Sequence, residues 1–214
     1  MTSSDISVSR RLLVMGAGGH SKVVLDVARN AGWHPAAILD PVGEGHYCND
    51  VAVLGDDEMA KDLLYNGVQN AVVGIGLNSL RAQVGERLVS LGFECPSLVH
   101  QSAQISPYAS IGRGVVIMPG AIVNAGSRID DFTVINSGAI VEHDCIVGYG
   151  AHIAPRAVLG GGVEIGKYVL FGIGAVARPQ SSVGRNSVIG AGSLVIGAVA
   201  EYCTAFGAPA RKVR

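Results

Sequence analysis

Polar residues in the second half of the chain have the types needed to catalyse a proton transfer. Glu142, His143 and Asp144 are consecutive, and His152 follows nine residues after His143. A carboxylate beside an imidazole fixes the ring tautomer and makes the far ring nitrogen a better proton acceptor near neutral pH. His143 with Asp144 is therefore a candidate general base with a supporting acid. The competing interpretation is an ordinary solvated histidine in a loop.

A second candidate site lies near the N-terminus, in a glycine-rich turn. The apolar run Arg11–Met15 is typical of a buried strand, and Gly16-Ala-Gly-Gly-His20 comes after it and leads into apolar residues at helical spacing. Such a turn presents backbone N–H groups at a helix N-terminus, which favours an anion. Asp40, at the end of the next predicted strand, is positioned to hold a ribose hydroxyl. The spacing departs from GxGxxG, and similar turns also occur without a ligand.

A six-residue period governs the elements around the histidine pair. Stepping by six from Val99 to Val195 gives seventeen positions, of which all but Ala177 are large and apolar. A second series, four residues further on, is small or β-branched throughout. A period of six fits neither a helix nor a long strand, but it fits a triangular prism with one hexapeptide on each face. Side chains eighteen residues apart then stack about 4.8 Å apart along the axis.

The two series also indicate which residues the prism does not need. Gly, Asn or Asp repeatedly comes directly after the large residue, and we expect these types to adopt the turn conformation there. His143 and Asp144 belong to neither series, which favours a catalytic role over the loop interpretation. Cys145 belongs to the small series, so its role is predicted to be structural rather than nucleophilic.

The first part of the chain has no such period. Strand and helix patterns alternate there, which predicts a small parallel α/β sheet. The junction is expected near Cys95-Pro96-Ser97, giving a Rossmann-like domain over 1–97 and a solenoid over 98–214 with a C-terminal tail. A plain NAD-dependent dehydrogenase is disfavoured, because so short a domain leaves little room for a second mononucleotide half.

Composition excludes several classes of function. The chain has 16 Lys and Arg against 17 Asp and Glu, so it offers no basic field for nucleic acid or an anionic membrane. No apolar run approaches the roughly 18 residues of a membrane span. The first residues are polar and do not indicate a signal peptide, and the four cysteines form no CxxC pair. A cytoplasmic protein without a metal centre is expected.

Five motifs occur in order along both predicted domains. They are Val14–Val24, Ile75–Asn78 with Arg81, Ile135–Cys145, Gly150–Pro155 and Gly207–Ala210. With these motifs the chain, from about Leu12 to Arg214, resembles the bacterial nucleotide-sugar acetyltransferases of the NeuD/PglD type. The resemblance implies a Rossmann-like first domain followed by the left-handed parallel β-helix of the hexapeptide acyltransferases.

The resemblance also implies roles for individual residues. In such enzymes the first domain binds the nucleotide-linked sugar, acetyl-CoA lies along the solenoid, and the general base and its supporting acid fall on His143 and Asp144. The implied sugar contacts are Gly18, Gly19, His20, Asp40 and Gly76, and the implied acetyl-CoA contacts are Asn136, His152, Gly161, Ile173 and Ala191. Members form homotrimers with active sites between neighbouring solenoids, and the same assembly is expected here.

The function predicted from the sequence is N-acetylation, by direct attack on acetyl-CoA, of the amino group at C4 of a UDP- or GDP-linked amino-deoxy sugar. Two alternatives stay open. The same base could serve O-acetylation of a sugar hydroxyl such as that of sialic acid, or the chain could be a non-catalytic trimeric nucleotide-binding scaffold. The γ-carbonic anhydrases share the prism, but they need three histidine ligands for zinc, and a third histidine at suitable spacing is missing.

Overall fold

The computed structural model describes residues 10–42, 45–55 and 57–213. The polar residues at the start of the chain, on which the prediction about a signal peptide rests, lie outside this range. Contacts divide the chain into two compact units, the first ending at Leu98 and the second beginning at Val99.

The first unit is a three-stranded parallel sheet flanked by helices. Its elements are β1 (Arg11–Met15), α1 (Gly19–Asn30), β2 (His34–Leu39), the antiparallel pair β3 (Tyr47–Cys48) and β4 (Val51–Ala52), a 3-10 turn (Asp57–Met59), α2 (Ala60–Tyr65), β5 (Asn70–Val73) and α3 (Asn78–Leu91). The strand order is β2-β1-β5, with β1 in the centre. Gly92 ends α3 in the left-handed conformation, as its sequence position predicts. The predicted alternation of strands and helices is thus confirmed.

The sheet brings three loops to one edge. Because the strands are parallel, the segments that begin after Met15, Leu39 and Val73 all leave from the carboxyl ends of their strands. The buried hydroxyl of Ser21 lies 2.5 Å from the carbonyl oxygen of Gly16 and 2.9 Å from that of Gly74, so it links two of these loops. The glycine turn after β1 is therefore held in a fixed position.

The second unit is a left-handed parallel β-helix, as predicted. Face A carries β7 (Gln104–Ile105), β10 (Ile122–Val123), β13 (Ile140–Val141), β16 (Val158–Leu159), β19 (Val176–Ala177) and β22 (Leu194–Val195). Face B carries β8 (Ser110–Ile111), β11 (Arg128–Ile129), β14 (Ile146–Val147), β17 (Glu164–Ile165), β20 (Ser182–Val183) and β23 (Ala198–Val199). Face C carries β6 (Leu98–Val99), β9 (Val116–Ile117), β12 (Val134–Ile135), β15 (His152–Ile153), β18 (Leu170–Phe171), β21 (Val188–Ile189), β24 (Thr204–Phe206) and, antiparallel to it, β25 (Arg211–Lys212).

Both predicted series form the core of this unit. Ile117, Ile135 and Ile153 are paired in register at eighteen-residue intervals and are fully buried. The small series is buried with them, including Ala139, and lies where the chain turns from one face to the next. The chain runs through faces C, A and B in turn, so we name the turns corner C–A, corner A–B and corner B–C.

The predicted position of the turn conformation is wrong by two residues. Every sixth residue from Gly114 to Gly192 has φ between 56° and 75°, and these residues stand three places after the large residue rather than one. The glycines directly after the large residue serve close packing instead. A Cβ on Gly166 would lie 2.6 Å from the backbone nitrogen of Arg185 in the next coil. The narrow spacing of the coils, not a left-handed turn, accounts for glycine there.

Among the helices that the structure describes, none combines the length and the hydropathy that a membrane crossing requires.

Candidate active site

His143 and Asp144 lie at corner A–B and contact each other. The Nδ1 atom of His143 is 2.8 Å from Oδ2 of Asp144, and both side chains are more than half exposed, at 64% and 71%. Asp144 has a φ of 59°, a left-handed conformation that aspartate tolerates better than most residues. With the carboxylate accepting from Nδ1–H, the Nε2 atom is the proton acceptor. The arrangement is that of an imidazole base with an orienting acid.

Backbone hydrogen bonds to both neighbouring coils hold the pair. The Gly162 N–H donates to the His143 carbonyl at 2.9 Å, and the Asp144 N–H donates to the Ala125 carbonyl at 3.0 Å. Glu142, the third polar residue of the motif, accepts a hydrogen bond from Nδ2 of Asn124 at 3.0 Å. Glu142 is thereby tied to the preceding coil.

Gly161 lies against the imidazole of His143, one coil further along. A Cβ built on Gly161 would stand 2.5 Å from Nε2 of His143, so the ring occupies the space that only glycine leaves there. The structure thus brings Gly161 together with His143. The other residues expected to bind acetyl-CoA lie elsewhere.

Those four residues lie along corner C–A and the end of face C. Nδ2 of Asn136 is 2.9 Å from Nε2 of His152, and Oδ1 of Asn136 accepts from the Ser137 N–H at 2.7 Å. Ile173 and Ala191 lie further along the same corner and are eighteen residues apart, and Ile173 is 60% exposed. Within one chain, face A separates this set from His143.

Cys145 is part of the core. Its side chain is fully buried, the thiol donates to the Gly160 carbonyl at 3.2 Å, and burial raises its pKa. A buried thiol with a raised pKa is a poor nucleophile. The structural role predicted from the sequence is confirmed.

In the first unit, the edge of the sheet contains a cavity of about 500 Å³. All five residues expected to contact the sugar nucleotide line it: Gly18, Gly19, His20, Asp40 and Gly76. Leu80 and Val84 add an apolar wall that the sequence analysis did not name. Leu80 and Val84 could have been predicted from their spacing, because residues four apart on a helix such as α3 lie on the same face.

Neither packing against the described residues nor backbone conformation requires glycine at Gly18 and Gly19. Among the described residues, a Cβ at either position would meet no atom within 4 Å beyond the immediate chain neighbours, and Gly18 has an ordinary φ of −72°. Both line the cavity, and Gly18 begins α1 without a side-chain cap. Bare backbone at a helix N-terminus suits the close approach of an anionic group such as phosphate.

Asp40 ties the end of β2 to the glycine turn. Its Oδ2 accepts from the Ala17 N–H at 2.7 Å, and its Oδ1 accepts from the Val42 N–H at 2.9 Å. Each carboxylate oxygen keeps a second lone pair, so the predicted hydrogen bond from a ribose hydroxyl is compatible with these contacts.

A buried cation lies beside the cavity. Arg81 is 1% exposed, and its guanidinium donates to the carbonyls of Ile75 and Gly76 at 3.3 and 3.2 Å and to Oδ1 of Asn78 at 3.0 Å. Burial lowers its pKa to about 10, so it stays charged at neutral pH. Burial, with a smaller contribution from Arg81, lowers the pKa of His20 to about 4, so that ring is neutral. The positive field of the guanidinium favours an anionic ligand in the cavity.

Among the described residues there is no group of three or more His, Cys, Asp or Glu side chains that could hold a metal ion.

Comparison with known proteins agrees with these features. The model of the PglD N-terminal domain matches residues 11–88. The UDP-N-acetylbacillosamine N-acetyltransferase of Bacillus subtilis is 36% identical over 117 residues, a stretch that spans 51% of this chain and 51% of that protein. The matched stretch is thus about half the length of this curated relative.

Two solved structures match over nearly their whole length. Perosamine N-acetyltransferase from Caulobacter crescentus, in a variant with one histidine replaced by asparagine and with CoA and GDP-perosamine bound, has a TM-score of 0.92 at 36% identity, covering 94% of this chain and 95% of that one. The acetyltransferase domain of PglB from Neisseria gonorrhoeae has a TM-score of 0.91 at 36% identity, covering 95% and 100%.

The fold defines a class, the left-handed β-helix acetyltransferases with a first domain built on a parallel sheet. Within that class, the chain belongs to the NeuD/PglD-type family of sugar N-acetyltransferases. The resemblance stated from the sequence motifs is confirmed.

The lowered pKa of His20 predicts a specific acid sensitivity. Between pH 4 and 6.5 the unfolded chain binds a proton on this ring and the folded chain does not, so stability falls as the pH drops through that range. The loss amounts to at most about 3 kcal/mol. In urea unfolding at pH 7 and pH 5, His20→Gln should lose less stability on acidification than the unmodified protein. His34→Gln, at an exposed position of β2, is the control, and equal losses in all three proteins would contradict the prediction.

Proposed function

We propose that the protein transfers the acetyl group of acetyl-CoA to the amino group of a nucleotide-linked amino sugar. The observation that carries the proposal is the exposed His143–Asp144 pair, with its 2.8 Å contact, on a solenoid whose core needs no ionisable residue there. Membership of a family of sugar N-acetyltransferases supports the reaction type. Use of acetyl-CoA also agrees with the cytoplasmic location expected from the sequence.

In this proposal, the first unit binds the acceptor, which is the nucleotide-linked amino sugar. The bare glycine turn and the nearby Arg81 suit a diphosphate, Asp40 suits a ribose hydroxyl, and Leu80 and Val84 offer an apolar surface. The Caulobacter relative binds GDP-perosamine and the Bacillus relative is named for a UDP-linked sugar. We therefore propose that the acceptor is a UDP- or GDP-linked 4-amino-4,6-dideoxy sugar, which is acetylated on its amino group at C4.

The reaction needs no covalent intermediate on the protein. The sugar nitrogen attacks the thioester carbonyl, a C–N bond forms, and the C–S bond breaks to release the CoA thiolate. Nε2 of His143 accepts the proton from the nitrogen and passes it to the departing sulfur, while Asp144 stabilises the imidazolium. The oxyanion of the intermediate accepts from a backbone N–H or from the amide of Asn136.

Acetyl-CoA, in the proposed site, contacts residues of two chains. Asn136, Ile173 and Ala191 lie at corner C–A and His152 lies in β15 on face C, whereas His143 and Gly161 lie at corner A–B. Face A therefore separates the two sets within a single chain. Contact between the solenoids of two chains would join one set from each. A homotrimer with three such sites is the assembly we propose.

An aliphatic ladder on face A supports that assembly. The outward residues of five successive strands are all aliphatic and partly exposed: Ile122, Ile140, Val158, Val176 and Leu194. A continuous apolar stripe of this kind on a sheet face is typical of a surface covered by another chain. The second copy covers the residues that lie between the two halves of the site.

The proposal is tested with a panel of UDP- and GDP-linked 4-amino sugars, assayed with acetyl-CoA by release of free thiol. We expect thiol release with at least one member of the panel and an acetamido product. Thiol release only with free sialic acid would replace the proposal by O-acetylation. Nucleotide binding without thiol release from any acceptor would leave the scaffold interpretation.

His143→Asn should lower kcat by about 10²-fold or more, because the amine proton loses its acceptor. The KM values should change little, since Asn keeps a polar atom where Nδ1 stood and lacks only the atom at the position of Nε2. His100→Asn is the matched control, because His100 is a partly exposed solenoid histidine whose Nδ1 contacts Ser102 Oγ at 2.8 Å. Unchanged turnover in His143→Asn would remove His143 from the role of base. In the Caulobacter relative, a histidine-to-asparagine variant still binds both CoA and GDP-perosamine.

Val158→Asp should break the proposed trimer, because a carboxylate would be buried without a partner in the middle of the aliphatic ladder. Light scattering should give a mass of about three chains of 22.0 kDa for the unmodified protein and one chain for the variant. Ile146→Asp places the same charge at an outward position on face B and should stay trimeric. A monomeric unmodified protein would contradict the assembly.

A further inference from the structure

A buried serine closes the turn that carries the proposed base. Ser127 lies in the coil before His143 and is 1% exposed. Its hydroxyl donates to the Glu142 carbonyl at 2.7 Å and accepts from the Cys145 N–H at 3.1 Å. These two backbone groups stand immediately before His143 and immediately after Asp144, so one side chain fixes both ends of the dipeptide.

The hydroxyl completes a set of restraints on the imidazole. Hydrogen bonds from the coils on both sides hold the backbone of His143 and Asp144, Asp144 holds Nδ1, and Gly161 leaves the space for the ring. Without the Ser127 hydroxyl, the Glu142 carbonyl and the Cys145 N–H lose the partner that draws the two ends of the turn together. The turn could then relax while the rest of the coil keeps its pairing.

We propose that Ser127 is a positioning residue for His143, acting through the backbone on either side of the pair. Ser127 is buried in the solenoid core and so does not touch either substrate. The proposal rests on the proposed function of His143 as base. Misplacement of a reacting group by about 1 Å can cost about 10²-fold in rate, so a small change in this turn is sufficient to slow transfer.

The same double hydrogen bond occurs again at Ser187 in the solenoid, which provides a matched control. The hydroxyl of Ser187 donates to the Ala200 carbonyl at 2.9 Å and accepts from the Cys203 N–H at 3.0 Å. It encloses Glu201 and Tyr202, and Tyr202 has a φ of 52° where Asp144 has 59°. None of the candidate site residues belongs to this second turn. Removing either hydroxyl therefore removes equivalent bonds, but only one of them borders His143.

The experiment compares Ser127→Ala with Ser187→Ala in the full chain. Both variants should lower the thermal unfolding midpoint to a similar extent. Ser127→Ala should also lower kcat by about tenfold or more, with KM for acetyl-CoA and for the sugar nucleotide within about twofold. Ser187→Ala should keep kcat within about twofold of the unmodified protein. Equal kcat values in the two variants would overturn the proposal.

A second pair of variants separates the hydroxyl from the packing around it. Ser127→Thr and Ser127→Val give side chains of similar shape that differ in the hydroxyl. Both residue types already occur in the small series, Thr133 at corner B–C and Val163 at corner A–B, where Ser127 also lies. The threonine variant should keep kcat close to that of the unmodified protein, and the valine variant should lose it. Equal activity in the pair would overturn the proposal even if Ser127→Ala did not fold.

The two proposals fail differently. Full activity of His143→Asn would refute the base and, with it, the role of Ser127. Loss of activity in His143→Asn together with full activity in both Ser127→Ala and Ser127→Val would refute only the positioning role.

Discussion

The narrow spacing of stacked coils is the constraint on which the second unit depends. Each coil hydrogen-bonds to the next through parallel strands only two residues long, so the backbone cannot shift without losing its pairing. The same spacing determines which positions have room only for glycine and limits how far the backbone of a corner residue can move. A frame of this kind lets exposed side chains such as His143 and Asp144 keep a defined geometry, although little packs around them.

The two candidate sites use different physical means. The first unit offers backbone N–H groups, a neutral His20 and the buried charge of Arg81, a combination that suits an anionic ligand. The second unit offers the imidazole of His143 in contact with the carboxylate of Asp144 at corner A–B. The proposed function therefore assigns binding and proton transfer to separate folding units, which would let the residues that select the acceptor vary without disturbing the base.

Periodicity predicted the architecture of the solenoid, whereas features that depend on contacts between coils could not be predicted from the sequence. The β-helix, its two buried series and the structural role of Cys145 were predictable because a six-residue period has one three-faced solution. The position of the left-handed residues was not, since glycine serves both turns and close packing, and only coordinates separate Gly114 from Gly166. The eighteen-residue separation of His143 and Gly161 does predict that they are neighbours in successive coils. That the imidazole fills the space above Gly161 was not predictable, because the orientation of an exposed ring does not follow from the period.

The division of the proposed acetyl-CoA site between two corners is a consequence of the order of the faces. Asn136 and His143 are seven residues apart, and the strand β13 of face A lies between them. They therefore sit at consecutive corners of the prism, which point in different directions. A donor that must contact both therefore requires a second chain, and the outward aliphatic residues of face A lie in the strip where that chain would pack. On this reasoning, assembly is a condition for the chemistry rather than an addition to it. The solenoid of a single chain carries one half of the proposed site at corner C–A and the other half at corner A–B.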